Sequence, residues 1–311
     1  MIKKILVTGG LGFIGKAITK SLLLKGHKVI VVDNNFRNKK NHIRHKNLKI
    51  FNIDIRNKEG LKKVSKKIDS VIHLAFINGT NFFYEKSELV LDVGVKGILN
   101  ILDICRENKI KEFFLASSSE VYQEAPYFPT DEKVRLIIPN PHDPRFSYST
   151  GKIVSEILLL NASHFDKTVI FRPHNIYGPD MGYNHVIPEL TKKSISSKNI
   201  LKIQGNGKNK RSFCYIDDFV QAFNLIFEKG KNKQIYNIGT SEEINILKLA
   251  KLINSIVGKK MIIKNSKKVF YNASRRLPEI KKIKKLGYKP KFSLSEGLSI
   301  TVNWYKEDYD K

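Results

Sequence analysis

The sequence predicts a doubly wound parallel α/β sheet with a smaller C-terminal α/β domain, on three observations. Short β-branched and aromatic runs alternate with helical periodicity from the first residues to about residue 171. The first run, Ile5-Leu6-Val7, ends at Thr8 and leads into Gly9-Gly10-Leu11-Gly12-Phe13-Ile14-Gly15, then into the amphipathic stretch Lys16–Leu24. Polar and glycine residues recur at the carboxyl ends of the strands: Gly9–Gly15, Asp33, Asp54, His73–Ala75 and Ser117–Ser119. Open parallel sheets bind their ligands at those ends.

The elements follow in order. Val29–Val32 is a second strand closed by Asp33, and Leu48–Ile53 a third that ends at Asp54-Ile55. Residues 58–66 suit a short helix and Ser70–Ala75 a fourth strand. The spacing of Leu89, Val93, Ile98, Ile101 and Leu102 predicts one long helix over 85–107. Lys111–Ala116 is a fifth strand, 123–145 a polar loop containing prolines, 147–164 a helix and Thr168–Phe171 a sixth strand. Beyond Phe171 the alternation becomes irregular. A helix is expected over 185–198, and Ile203–Gly207 reads as a strand entering a hairpin turn. Helix Phe219–Phe227, strand Gln234–Ile238, helix Ile244–Val257 and a last helix over 295–308 complete the chain. The expected division is a dinucleotide-binding domain over 1–172, with a returning piece near 211–240, and a substrate domain over 173–210 and 241–311.

Composition narrows the class. A hydrophobic share of 41% with 10% aromatics is that of a globular chain and argues against disorder. No run approaches the ~18 apolar residues of a membrane span. The first strand starts so early that no signal peptide is expected, and two cysteines, Cys105 and Cys214, fit a reducing cytoplasm without a disulfide framework. The net charge of +27 raises the question of nucleic acid. The basic residues are spread through almost every segment, with no Arg-rich arm and no basic block interleaved with aromatics. A lysine-biased solvated surface, with no nucleic-acid and no membrane partner, is therefore the expectation. Such a surface still attracts a small polyanion.

Glycine allows the backbone angles of a tight turn and lets a diphosphate approach the main chain, where helix N–H groups hold it. The preceding strand, the following helix and an acid about 20 residues on (Asp33) turn a weak glycine motif into a dinucleotide signature. Tyr148 and Lys152, four apart, share one helix face. An ammonium beside a phenol stabilises phenolate and lowers its pKa towards neutrality. The phenolate can take a hydroxyl proton while hydride leaves the same carbon for a nicotinamide, and a strand-end serine can bond that oxygen. Taken alone, this spacing is usually that of two surface helix residues; the glycine turn and serine run upstream shift the reading to chemistry.

These motifs resemble the extended short-chain dehydrogenase/reductase superfamily, in its NAD-dependent nucleotide-sugar epimerase/dehydratase branch. The resemblance rests on Thr8–Gly15, Asp54-Ile55, His73-Leu74-Ala75, Ser118-Ser119-Glu120-Val121-Tyr122, Tyr148…Lys152 and Arg172–Pro179. It continues through Gly205-Asn206-Gly207, Arg211–Asp218, Tyr236–Gly239 and Arg276-Leu277-Pro278-Glu279, and so spans nearly the whole chain. It implies a Rossmann fold and NAD held by Gly9, Gly12, Phe13, Ile14, Gly15, Asp33, Asp54, Ile55, Leu74, Ala75, Ser117, Tyr148 and Lys152. Asp33 would take the ribose hydroxyls and favour NAD over NADP, with Arg37 more a surface residue than a 2′-phosphate ligand. Tyr148 would be the base, Lys152 its tuning cation and Ser118 the holder of the reacting hydroxyl. Asn175 would touch a nucleotide-sugar substrate whose diphosphate Arg211 and Arg276 grip. The long helices would pair across a two-fold axis in a homodimer; burial within one chain is the competing account.

Several alternatives stay open. Asp54 is also a turn residue, His73 a packed strand-end histidine, and Arg211 and Arg276 surface ion-pair residues. Glu120 is either a base that draws off the C5 proton in a dehydratase or a polar anchor of its loop. The Ser119-Glu120 pair resembles the pattern of GDP-mannose dehydratases and UDP-glucuronate decarboxylases, whereas dehydratases of thymidine-linked sugars usually place Asp at position 119. The product is thus a 4-epimer, a 4-keto-6-deoxy sugar or a decarboxylated sugar. Gln123 and Gly94 depart from the family's usual Gly and Asn. The reading from another class is a non-catalytic dinucleotide sensor or nucleic-acid-binding protein on the same fold.

Overall fold

The computed structural model describes residues 1–37, 43–266 and 273–309. The chain divides into two compact units. The first comprises Met1–Val121, Leu136–Arg172 and Ala222–Tyr236; the second comprises Tyr122–Arg135, Pro173–Gln221 and Asn237–Lys311.

The first unit is built on strands β1 (Lys4–Thr8), β2 (Lys28–Asp33), β3 (Leu48–Asn52), β4 (Ser70–His73), β5 (Glu112–Ala116) and β6 (Lys167–Pro173). With the strand Gln234–Ile238 at one edge, the order is Gln234–Ile238, β6, β5, β4, β1, β2, β3. Pairing from β3 through β6 is parallel, with Val7 opposite Val31 and Ile72. The central strands are buried on both faces, as their continuous apolar runs require. Their core includes Leu6, Val32, Val71, Phe113, Leu115 and Ile170, packed with Ile98, Ile101 and Ile104. Helix α1 (Phe13–Leu24) turns Ile18, Leu22 and Leu23 inwards. Helix α2 (Lys58–Val64) starts at Asn57, whose side chain accepts the Gly60 N–H at 2.9 Å.

The expected helix over 85–107 is not continuous. Short helices Thr80–Glu85 and Ser87–Leu91 lead into a π-helical turn, Asp92–Lys96, before the helix Gly97–Glu107. Tertiary packing breaks the periodicity: Lys86 leaves helical geometry at φ −143, ψ 42, and the π turn carries Gly94 against the Phe76 ring. The expected helix over 147–164 ends earlier, as Ser147–Leu160.

In the second unit, the strand Ile200–Gln204 does not enter a hairpin. It pairs in parallel with Ile262–Ser266, and the following strand Lys210–Ser212 lies between Glu243–Asn245 and Arg275–Arg276. Gly205 and Gly207, at φ +61 and +70, turn the chain into another sheet rather than back on its neighbour. Residues 122–135 belong to this unit because Thr130 exchanges backbone bonds with Leu277 and Glu279 while the Asn237 N–H reaches Glu132. The returning piece expected near 211–240 is Ala222–Tyr236, since the strand Lys210–Ser212 belongs to the small sheet.

Candidate active site

Helix α1 opens at Gly12 with no side-chain cap and no acid in its first turn, which Phe13 and Ile14 form. Its first N–H groups are therefore not spent on a capping side chain. Gly9 sits at φ +68, and a Cβ there would lie 2.8 Å from Ala75; a Cβ at Gly15 would lie 2.0 Å from the Gly9 oxygen. At Gly12 the nearest atom is 3.5 Å away. The turn is closed against protein at both ends and open at its middle, the shape a diphosphate needs.

The neighbouring strand ends are ordered by short bonds. Asp33 accepts the Leu11 N–H at 3.0 Å and the Asn35 N–H at 2.9 Å. The Thr8 hydroxyl takes the N–H groups of Leu74 and Ala75 at 3.2 and 3.3 Å and lies 2.8 Å from His73 Nδ1. Burial holds the His73 pKa down to about 3, so this ring is neutral packing. Asp54 is a turn residue gripped by its neighbour: Arg56 donates to both carboxylate oxygens at 2.8 and 2.9 Å, which brings its pKa down to about 2. Ile55 is core, its side chain filling the space beside Gly97.

Beyond β5, Ser117 donates its N–H to the Phe171 carbonyl, and its buried hydroxyl has no hydrogen-bond partner among the described residues. The Ser118 hydroxyl accepts the Glu120 N–H at 3.1 Å and lies close enough to Tyr148 to pull its pKa down. Tyr148 is 5% exposed, stacked on Phe83 at 4.9 Å and met edge-on by Phe76 at 5.1 Å. Lys152, one turn on, donates to the Ala116 carbonyl at 2.6 Å and lies 5.8 Å from the centre of the Tyr148 ring. Glu120 accepts a 2.8 Å bond from the buried Arg145.

The electrostatics correct one expectation. The Tyr148 phenol is not pulled towards neutrality: burial raises its pKa, the Ser118 hydroxyl and the charges of Arg37 and Arg145 oppose this, and Glu120 adds to it. Burial also lowers the Lys152 ammonium to about 7, against a small opposing pull from Glu156. In this low-dielectric setting both members are pushed towards their neutral forms. Arg37 is exposed, as a surface residue is, and its charge is one of the smaller pulls on Tyr148.

In the second unit Asn175 adopts φ +42 and donates to the Ser212 carbonyl at 2.9 Å. Arg211 and Arg276 are both buried and face each other in register on adjacent parallel strands. Arg211 donates to the carbonyls of Lys210 and Ala273 at 2.7 and 2.6 Å. Sequence reasoning missed Thr8, Phe76 and Arg145. The aromatic directly after His73-Leu74-Ala75 was a legible signal for Phe76; a lone arginine in a polar loop offered none for Arg145.

A glycine-turned dinucleotide site and a buried Ser–Tyr–Lys group on one parallel sheet define a dehydrogenase-like α/β protein. A family model described as the NAD dependent epimerase/dehydratase family matches residues 5–239, and the chain belongs to that family. It is 32% identical over 322 residues to UDP-N-acetyl-alpha-D-glucosaminuronate decarboxylase of Bacillus cytotoxicus, with 99% of each chain covered. It is 34% identical over 311 residues to a putative UDP-glucose 4-epimerase of Methanocaldococcus jannaschii, covering 98% of this chain and 99% of that one. Its structure is similar to that of UDP-glucose 4-epimerase with UDP-glucose from Thermotoga maritima, at TM-score 0.87 and 29% identity over 98% and 99% of the two chains.

The family is NAD-dependent, and the residues present fit NAD. The turn is open at Gly12, the first turn of α1 is uncapped, and the Ser117 hydroxyl is buried without a partner among the described residues. Among those residues no group of three or more His, Cys, Asp or Glu could hold a metal, and no helix is long and apolar enough to cross a membrane.

Proposed function

We propose that this chain is a nucleotide-sugar 4-epimerase that oxidises C4 of an NDP-hexose transiently and returns the hydrogen to the opposite face. The observation that carries the reading is the arrangement of Glu120 beside the Ser118–Tyr148–Lys152 group: the Arg145 guanidinium donates to one of its carboxylate oxygens at 2.8 Å. NAD, when bound, supplies a reversible hydride acceptor and a fixed positive charge. Gly9, Gly12, Phe13, Ile14 and Gly15 would hold its diphosphate, Asp33 the adenosine ribose, Asp54 and Ile55 the adenine side, and Leu74, Ala75 and Ser117 the nicotinamide side. Tyr148 takes the proton of the C4 hydroxyl, Ser118 bonds the same oxygen, and Lys152 balances the phenolate charge. Proton return by Tyr148 closes the cycle.

A dehydratase needs a further base at C5 and an acid for the departing water. Arg145 engages Glu120, the candidate base, which favours a product of unchanged mass; serine at position 119, shared with the GDP-mannose dehydratase pattern, does not itself decide between them. Asn175, Arg211 and Arg276 are the candidate substrate ligands; two guanidiniums in register suit a diphosphate. A uronate decarboxylase is the second reading, because the Ser119-Glu120 pair matches that pattern, the Bacillus cytotoxicus relative carries that name, and loss of carbon dioxide from a 4-keto uronate needs no C5 base. Leu99 and Ile157, 45% and 56% exposed on the helices Gly97–Glu107 and Ser147–Leu160, support a homodimer in which a second copy covers them. Two free, buried thiols suit the cytoplasm.

The test is product mass. The protein with NAD is incubated with UDP-, GDP-, dTDP- and CDP-linked hexoses and uronates and analysed by mass spectrometry and NMR. A new sugar signal at unchanged mass is expected. Loss of carbon dioxide would replace the epimerase with the decarboxylase, and loss of water would overturn both by making Glu120 a working base.

A further inference from the structure

The Phe76 ring occupies a slot that two glycines leave open. A Cβ at Gly94, on the π turn, would lie 2.1 Å from Phe76 Cζ, and one at Gly151, on the helix Ser147–Leu160, would lie 2.8 Å from the same atom. Any side chain at Gly94 would displace the ring. Held there, the ring meets Tyr148 edge-on at 84° and places its face 4.3 Å from Lys152 Nζ. Lys152 is 2% exposed and forms no ion pair among the described residues; the Ala116 carbonyl is its hydrogen-bond acceptor. An ammonium desolvated to this degree needs compensating negative potential, and an aromatic face at this distance provides it.

We propose that Phe76 is a positioning residue that, seated against Gly94 and Gly151, holds the Lys152 ammonium in its charged form beside Tyr148. This rests on the catalytic roles proposed above for Lys152 and Tyr148. Phe76 touches no reacting atom in this account and acts through Lys152. The slot also gives Gly94 a purpose: glycine weakens a helix, and here its missing side chain makes the room the ring fills.

The charged and titratable groups around the pair are few and come from several elements. Lys152 is faced by Glu156 one turn on and by His73 of β4, which burial keeps neutral. Tyr148 is faced by Glu120, Arg37 and Arg145, and by the Ser118 hydroxyl. Phe76→Leu alters none of these and keeps most of the bulk while removing the π face.

The experiment is a titration that needs no substrate. Lysine labelled with ¹³C at Cε is incorporated into the protein, which is loaded with NAD and followed by NMR across pH. The Lys152 signal is assigned by its loss in Lys152→Met; it stands apart because it titrates near 7, where ordinary lysines do not. Phe76→Leu is expected to lower that midpoint by about half a unit to one unit, the size a cation–π contact gives. Gly94→Ala, which pushes the ring aside, should move it in the same direction. The same midpoint in wild type and Phe76→Leu, with thermal unfolding showing both folded, would overturn the proposal. Turnover is measured alongside on the nucleotide-sugar panel: the ascending limb of kcat against pH should move up in Phe76→Leu as Tyr148 loses its cation. A wild type with no turnover would sink the functional reading, while the NMR midpoint would still decide the role of Phe76.

Discussion

The two units treat their buried cations differently. In the first, Lys152 has one carbonyl acceptor and an aromatic face, and burial alone brings its proton affinity into the working range. In the second, Arg211 is bonded to carbonyls on two segments, Lys210 and Ala273, which fastens the strand Lys210–Ser212 to the chain entering Arg275–Arg276. An ammonium with few bonds can change its proton state when a neighbour changes charge; a guanidinium bound to fixed carbonyls cannot. The first arrangement suits proton chemistry, the second a rigid cradle for a fixed anion.

This contrast can be broken at four places, taken from the largest expected effect to the smallest. Gly15→Ala drives a Cβ into the Gly9 carbonyl, a backbone atom that cannot swing away. NAD binding measured by calorimetry should be lost, and the melting temperature should fall. Arg172→Leu leaves Glu156 as a lone charge where both partners were 3% exposed and joined by two bonds of 2.9 and 2.6 Å. A loss of about 3–5 kcal/mol is expected in urea unfolding. Arg211→Leu strips the carbonyls of Lys210 and Ala273 of a donor, for about 1–3 kcal/mol, and should raise KM for a nucleotide sugar more than it lowers kcat. Asp54→Asn is the mildest, about 1 kcal/mol or less at neutral pH, since the Asp54–Arg56 pair is partly exposed. Its signature is in acid. The Arg56 bonds depress the Asp54 pKa from 3.8 to about 2, so the stability they add is full above pH 4 and is lost as pH falls through the folded value. Asn at this position should flatten that part of the acid unfolding curve.

Much of the first unit was legible because its strands are short, mostly apolar and closed by glycine, acid or serine, so local pattern and global fold agree. Gly9–Gly15, Asp33 and Ser117-Ser118 lie at strand ends as their spacing implied. What was not legible depends on distant partners. The break in the long helix comes from an aromatic ring some twenty residues earlier packing on Gly94, which 3.6-residue periodicity does not register. The strand Ile200–Gln204 takes its partner from Ile262–Ser266, so a local hairpin signal pointed to the wrong neighbour. Tyr148 and Lys152 were found by spacing, but the direction of the Tyr148 shift was not, because burial outweighs the nearby cations and a sequence carries no measure of burial. Arg145, which fixes Glu120, lies 25 residues from it with nothing local to link them.

The central claim is that a buried phenol at position 148 does proton chemistry on a bound sugar. The most direct test is Tyr148→Phe, compared with wild type for turnover on the nucleotide-sugar panel and for NAD affinity by calorimetry. The ring keeps its packing on Phe76 and Phe83, so affinity should stay within a few-fold, while turnover should fall at least about a hundredfold, as loss of a general acid–base group does. Equal turnover in the two proteins would contradict the account and return the fold to a dinucleotide-binding role without this chemistry.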